Sequence, residues 1–158
     1  MKFVRSLFTL VILALASPLC ATVTKAVPNA AGDLAEFDNQ SGYTYVDDPV
    51  DTPDDSTSYI RHYSTTVDAR ELYNFADSLV PTTATISNVR VYIRCAISGG
   101  GATDTVDVRP LVKIGGQIYS PATYTTQSKA WVDTTYDWAT NPNTGSAWTS
   151  ANIDSLQA

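Results

Sequence analysis

The chain has 158 residues, a formal net charge of −6 and only two cysteines. This length is enough for one domain with a hydrophobic core. The acidic balance argues against nucleic acid as a partner, because phosphate binding depends on lysine and arginine side chains that release counterions. Charge of this sign favours solubility or cation binding and says little about the fold.

The first residues have the pattern of a secretory leader. Lys2 and Arg5 supply a positive start, and an uncharged apolar run from Leu7 to Ala16 follows. The run is shorter than the roughly 20 residues that cross a bilayer core. We therefore predict a signal peptide over residues 1–21, an extracellular or cell-surface location, and no membrane segment after cleavage.

The two cysteines do not predict a disulfide. Cys20 follows Leu19, whose bulk does not suit a lipoprotein cleavage site, so a lipid anchor is the weaker alternative. Cys95 remains after cleavage and lies in an alternating run with Val91 and Ile93. Period-2 alternation places these side chains on one buried strand face, so Cys95 is predicted to be a core thiol rather than a reactive one.

After the leader, the chain is a series of short β-type runs separated by turn residues. Residues 22–42 have little periodicity and are predicted to be a flexible linker, so the domain is expected to span 43–158. Glu71–Leu79 fits a strand or a short helix, and we favour a strand. The Gly115–Gly116 pair predicts a tight turn. The other predicted strands are Tyr43–Val46, Tyr59–Val67, Ala84–Ser98, Thr105–Ile114, Gln117–Tyr119 and Lys129–Trp138, with a hairpin connection at Gly99–Gly101.

Strands this short, separated by frequent turns and poor in Glu and Leu, predict an all-β fold, an antiparallel sandwich or barrel. The last stretch differs from the rest. Asn141–Gly145 has the composition of a loop. Thr149 or Ser150 can then cap a short helical turn that runs through Leu156.

The sequence contains no complete catalytic site. Its single histidine, His62, shares a predicted strand face with Ile60, so we expect a structural histidine rather than a triad member or metal ligand. Glycoside hydrolysis needs two carboxyl groups, and the only glutamates are Glu36 in the linker and Glu71 in the ambiguous segment. We therefore predict that the protein is not an enzyme.

An acidic loop is the strongest local feature, with five aspartates separated by Pro49 and Pro53. Calcium takes roughly six to eight oxygen ligands, often from one irregular loop. The alternative is a solvated loop in which aspartate and proline simply form turns. The candidate calcium ligands are Asp47, Asp48, Asp51, Asp54 and Asp55.

The last predicted strand carries two sets of side chains. Val132, Tyr136 and Trp138 are predicted on the core face, and Trp131, Asp133 and Asp137 on the opposite face. An exposed indole beside a carboxylate suits a sugar ring, because the indole covers its C–H face and the acid accepts its hydroxyls. Trp131 and Asp133 are therefore candidate polysaccharide contacts, and cover of Trp131 by a neighbouring loop is the alternative.

Several segments together resemble a module that recurs in phage structural proteins and in secreted microbial proteins. The resemblance implies a jelly-roll-like sandwich on virion surfaces or outside cells, with Trp148 closing one end and no catalytic residues. The module continues past Leu156 into a final strand. We therefore expect 43–158 to lack that strand and to meet a further domain or partner chain beyond residue 158. The matching segments are Tyr45–Asp48, Thr52–Ile60, Arg70–Asp77 (with Glu71 where the module usually has Asp), Ile86–Ile97 and Asn141–Leu156.

Taken together, these patterns predict a non-catalytic extracellular module that binds a polysaccharide or a cell-surface glycan. The alternative is a purely structural or assembly module of a virion or cell-surface protein. A leader peptide favours the first, because virion proteins assemble in the cytoplasm without export. No cofactor is expected beyond a structural calcium ion.

Overall fold

The computed structural model describes residues 23–37, 42–49, 51–55, 57–61, 68–97, 105–121, 124–126 and 129–158. Within these ranges the elements are mostly strands, which confirms the all-β prediction. The strands are β1 (Ala30–Ala35), β2 (Glu71–Asn74), β3 (Val89–Cys95), β4 (Val106–Val108), β5 (Val112–Ile114), β6 (Gln117–Tyr119), β7 (Tyr124–Thr126) and β8 (Val132–Trp138). The helix α1 spans Ser150–Asp154, and Tyr43–Tyr45 form one 3₁₀ turn.

The described ladders are all antiparallel. β1 pairs with β2, β3 with β8, β4 with β7 and β5 with β6. The longest ladder joins β3 to β8, from Val89 opposite Trp138 to Cys95 opposite Val132. These are the two strands that alternation predicted most clearly, and both are confirmed.

Some predictions fall outside the described residues. They include the leader over 1–21, His62 within the predicted strand 59–67, and the hairpin connection at Gly99–Gly101. In the part of the chain that is described, β3 and β4 pair with β8 and β7 rather than with each other. No helix in those ranges is long and apolar enough to cross a bilayer.

The turn between β5 and β6 is the one predicted from two adjacent glycines. Gly115 and Gly116 have φ values of 59° and 79°, the left-handed pair that a two-residue hairpin turn requires. A Cβ on Gly115 would also clash with the Asn143 side chain. Tyr119 donates its hydroxyl to Asn143 Oδ1 at 2.8 Å, so the hairpin packs directly against the Asn141–Gly145 loop.

Two segments differ from the sequence prediction. The linker assignment is wrong for Ala30–Ala35, which form β1 on the edge of β2. Small side chains permit this close pairing: a Cβ on Gly32 would overlap the Leu72 carbonyl group. The strand predicted at 43–46 is instead a 3₁₀ turn, closed by the Val46 N–H bonded to the Tyr43 carbonyl at 3.0 Å.

One apolar core lies between β8, the β5–β6 hairpin and the C-terminal residues. Trp148 is 3% exposed, and its indole N–H donates to the Trp138 carbonyl at 2.8 Å. A buried indole needs such a partner, so this bond completes the packing of the ring. The expectation that Trp148 is buried is therefore confirmed. The buried core residues are Val112, Ile114, Trp138, Trp148 and Leu156, with Val89 and Val91 of β3 packed against them.

The helix and the residues after it connect two halves of a sheet. Thr149 caps α1: its hydroxyl accepts from the Asn152 N–H at 3.2 Å, and Asn152 Oδ1 accepts from the Thr149 N–H at 3.1 Å. Gln157 then forms antiparallel bridges to Asn74 of β2 and Lys113 of β5. These bridges join the β1–β2 and β5–β6 pairs into one sheet.

Candidate functional site

The β3–β8 ladder has two faces of opposite character. Val89 and Val91 point to the apolar core, so alternation sends Arg90, Tyr92 and Arg94 to the other side. We call that side the outer face. Its β8 residues, directly opposite these three, are Asp137, Thr135 and Asp133.

Arg94 joins the outer face to the acidic loop. Its Nε and Nη2 donate to the two Asp55 carboxylate oxygens at 2.5 and 3.1 Å, and its Nη1 donates to Asp133 Oδ1 at 2.7 Å. The Arg94 side chain is 26% exposed and the Asp133 side chain 48%. Arg94, Asp55 and Asp133 form what we call the Arg94 cluster. Two residues predicted for separate sites, Asp55 and Asp133, therefore lie together.

Charge and hydrogen bonding keep this cluster ionised. The Arg94 guanidinium lowers the pKa of Asp55, and the Tyr92 hydroxyl and then Arg94 lower the pKa of Asp133. The two carboxylates in turn raise the pKa of Arg94. Burial, followed by Asp133, raises the pKa of Tyr92. One guanidinium against two carboxylates leaves the cluster with a net negative charge.

Trp131 lies just before β8, two residues from Asp133, and its side chain is partly buried. Its ring lies 6.0 Å from the Tyr59 ring, centroid to centroid, at 64° between the ring planes. Tyr59 follows the acidic loop in the chain, so a neighbouring loop covers part of the indole. This edge contact leaves part of the indole surface accessible.

Of the three residues predicted on the core face of β8, only Trp138 is buried. Val132 is partly buried, and Tyr136 is 40% exposed. The Tyr136 ring lies 4.5 Å from the Trp138 ring in an edge contact. Cys95, predicted to be a core thiol, is half-buried and is not among the residues packed on the described core, and burial raises the pKa of its thiol.

A second polar group lies on the outer face, and of its members the sequence predicted only Asp137 there. Arg90 donates to both Asp137 carboxylate oxygens, at 2.6 and 2.7 Å, and Asn88 donates to Asp137 Oδ1 at 3.1 Å. We call these three residues the Arg90 cluster. The sequence shows opposite charges at alternating positions of β3 and β8. These charges indicate cross-strand pairs only when the register between the two strands is known.

The acidic loop uses its carboxylates on its own chain. Asp54 Oδ1 accepts from the Ser58 N–H at 3.0 Å, and Asp48 Oδ2 accepts from the Asp54 N–H at 3.1 Å. These are turn-forming contacts.

The remaining loop aspartates have different surroundings. Asp51 pairs with Lys25, and Asp55 belongs to the Arg94 cluster, while Asp47 is exposed. Among the described residues, no three His, Cys, Asp or Glu side chains converge as metal ligands. The five aspartates do not converge in the described part of the chain, and calcium binding by this loop stays a prediction.

The two glutamates lie close together, although they are far apart in the sequence. Both Glu36 oxygens accept from Arg70, which lowers the Glu36 pKa, whereas burial raises the Glu71 pKa. Opposite pKa shifts in neighbouring carboxyl groups are found in glycosidases. Here both oxygens of Glu36 are held by a guanidinium, so neither faces a substrate as a free nucleophile.

Comparison with known proteins found no matching family, no matching curated protein and no matching solved structure. The resemblance to a phage and secreted-protein module stays a prediction. The function must therefore be inferred from the chemistry of the outer face itself.

Proposed function

We propose that this protein is an exported, non-catalytic β-sandwich module of jelly-roll type that binds a polysaccharide or cell-surface glycan. The ligand would contact Trp131 and Asp133 on the outer face. The observation that carries the proposal is a partly exposed indole, Trp131, immediately before β8 and two residues before the ionised, hydrogen-bonded carboxylate of Asp133.

The aromatic part of the site supports stacking against a sugar ring. Tyr59 restrains the Trp131 ring from one side, so little side-chain freedom is lost when a ligand covers the exposed part. The apolar C–H face of a sugar matches that remaining indole surface. A rigid aromatic platform of this kind favours ring-shaped ligands over extended peptides.

The polar part of the site supports recognition of hydroxyl groups. Asp133 is held in place by Arg94 and Tyr92, and about half of its side chain remains exposed to solvent. Its free lone pairs can accept hydroxyl protons, and a charged acceptor makes shorter, stronger hydrogen bonds than a neutral one. Position and charge therefore both suit a polyhydroxylated ligand.

A purely structural module is the second candidate. The contacts of the acidic loop favour it, because Asp48 and Asp54 stabilise their own turns and Asp55 fastens the loop to Arg94. In that case the outer face would be a set of cross-strand contacts that hold the ladder in register.

Binding to polysaccharides separates the two candidates. The purified chain would be tested by affinity electrophoresis against neutral and anionic soluble polymers, namely β-glucan, xylan, mannan and polygalacturonate. Trp131→Ala and Asp133→Asn should each weaken binding by about tenfold or more, since each removes a central contact. Tyr136→Ala is the matched control, because Tyr136 is an exposed aromatic on the opposite face of β8.

The expected result is retardation by at least one polymer that is lost in both outer-face variants and kept in Tyr136→Ala. Thermal midpoints of all variants identify any that fail to fold, and Asp133→Asn tests the site without removing the indole. Retardation that survives both outer-face substitutions would overturn the site. A chain that binds none of the polymers would leave the structural candidate as the function.

A further inference from the structure

We propose that the outer face binds one extended, uncharged polysaccharide chain across two polar subsites, the Arg94 cluster and the Arg90 cluster. The inference rests on the proposed function and deepens it, because it adds a second subsite and names the class of glycan. The observation behind it is that two guanidinium–carboxylate pairs lie in register on the outer face of one strand pair, and that Trp131 directly precedes one of these strands.

The two clusters are separated by a distance that a single sugar does not cover. Arg90 lies opposite Asp137 and Arg94 opposite Asp133, so the two clusters are four positions apart along each strand. At about 3.3 Å per residue this is a span of about 13 Å. A single sugar ring stacked on Trp131 would reach the Arg94 cluster but not the Arg90 cluster. A chain of several sugars running along β8 reaches both.

The charges of the face select against an acidic ligand. In the Arg90 cluster one guanidinium cancels one carboxylate, and in the Arg94 cluster one guanidinium faces two carboxylates. The face therefore carries a small net negative charge on a chain whose formal net charge is −6. Polymers rich in uronate or sulfate would be repelled, whereas an uncharged chain has no such penalty.

The paired groups still match the hydrogen-bonding capacity of a neutral sugar. A guanidinium beside a carboxylate presents donors next to acceptors, and a sugar hydroxyl both donates and accepts. The Asp137 and Asp133 side chains are 43% and 48% exposed, so their remaining lone pairs are accessible to a ligand. Tyr92 and Thr135 lie between the clusters on the same face and continue the polar surface.

The proposal predicts two properties of binding. Affinity should rise with oligomer length until both clusters are covered, because the second set of contacts adds to the first without a second loss of translational freedom. Affinity should also change little with ionic strength, because no net charge attraction drives the association.

The test measures binding of cello- and xylo-oligosaccharides of increasing length, and of oligogalacturonate, by isothermal titration calorimetry at low and high salt. The informative variant is the double substitution Arg90→Gln with Asp137→Asn, which removes the second cluster without changing the net charge. The matched control is Arg70→Gln with Glu36→Gln, which removes the same kind of ion pair from the β1–β2 edge.

We expect the first double variant to lose about tenfold in affinity for the long neutral oligomers and to bind the disaccharide like the original chain. The control pair should leave both affinities unchanged. Equal affinity for short and long oligomers, or tighter binding of oligogalacturonate, would overturn the second subsite or the ligand class while the proposed function stands. No binding of any oligosaccharide, neutral or acidic, would instead overturn the proposed function itself.

Discussion

The inner and outer faces of the β3–β8 ladder share one backbone and have opposite chemical character. The inner face places Val89, Val91 and Trp138 against a buried core that excludes water. The outer face places Arg90 and Arg94 opposite carboxylates that remain in contact with solvent. Apolar burial stabilises in proportion to the area removed from water, whereas exposed ion pairs contribute little to stability. Stability should therefore depend on the first face and ligand recognition on the second.

The three tryptophans show the same contrast between buried and exposed surfaces. Trp138 and Trp148 are almost fully buried, and the Trp148 indole N–H bonds to the Trp138 backbone. Trp131 is partly exposed, and its ring makes an edge contact with the Tyr59 ring. Residue type alone does not distinguish a core indole from a solvent-facing one. The position of the indole relative to the core makes that distinction.

The largest expected effect on stability is at Trp148. Replacing it with alanine should lower the free energy of unfolding by roughly 3 to 5 kcal/mol, because the change empties part of the core and leaves the Trp138 carbonyl without its donor. Urea unfolding measures this, with Tyr136→Ala as the control for loss of an exposed aromatic. A loss below about 1 kcal/mol would contradict the core role of Trp148 and blur the contrast between the faces.

A smaller effect is expected where α1 closes the core. Thr149→Ala removes the hydroxyl that accepts the Asn152 N–H, and should cost about 1 kcal/mol of unfolding free energy. Thr149→Ser keeps the hydroxyl and is the matched control. Equal destabilisation by Thr149→Ala and Thr149→Ser would show that the capping hydrogen bond does not stabilise this turn. The turn would then depend on packing alone.

The smallest effect is expected from the ionised outer face and should appear only in acid. Asp133 has a pKa lower than its ordinary 3.8 in the folded chain. A carboxyl group whose pKa is lowered by folding stabilises the fold above its ordinary pKa, and this contribution disappears as the pH falls through the folded value. The difference in thermal midpoint between the original chain and Asp133→Asn should be constant near neutral pH and shrink in strong acid. A difference that grows on acidification would show that Asp133 is not stabilised as an anion.

The sequence by itself determined the features that depend on near neighbours. Alternation located β3 and β8, adjacent glycines located the β5–β6 turn, and a hydroxyl residue before α1 located its cap. Each of these depends on contacts within a few residues, which the order of the amino acids specifies directly. The same local pattern placed Asp133 on the face opposite the core, where it pairs with Arg94.

Only the tertiary structure decided which distant segments meet. Arg94 and Asp55 are 39 residues apart, and Asp133 is a further 39 residues along from Arg94, so no local pattern predicts that the three form a cluster. The strand β1 has an alanine-rich sequence without clear periodicity, and it becomes a strand because the β2 edge provides its backbone partners. Tyr136 follows the core alternation and is nevertheless exposed, although Val91, directly opposite it, packs against the core. In each case the outcome depends on the register and extent of pairing between remote parts of the chain, which is decided only when they pack together.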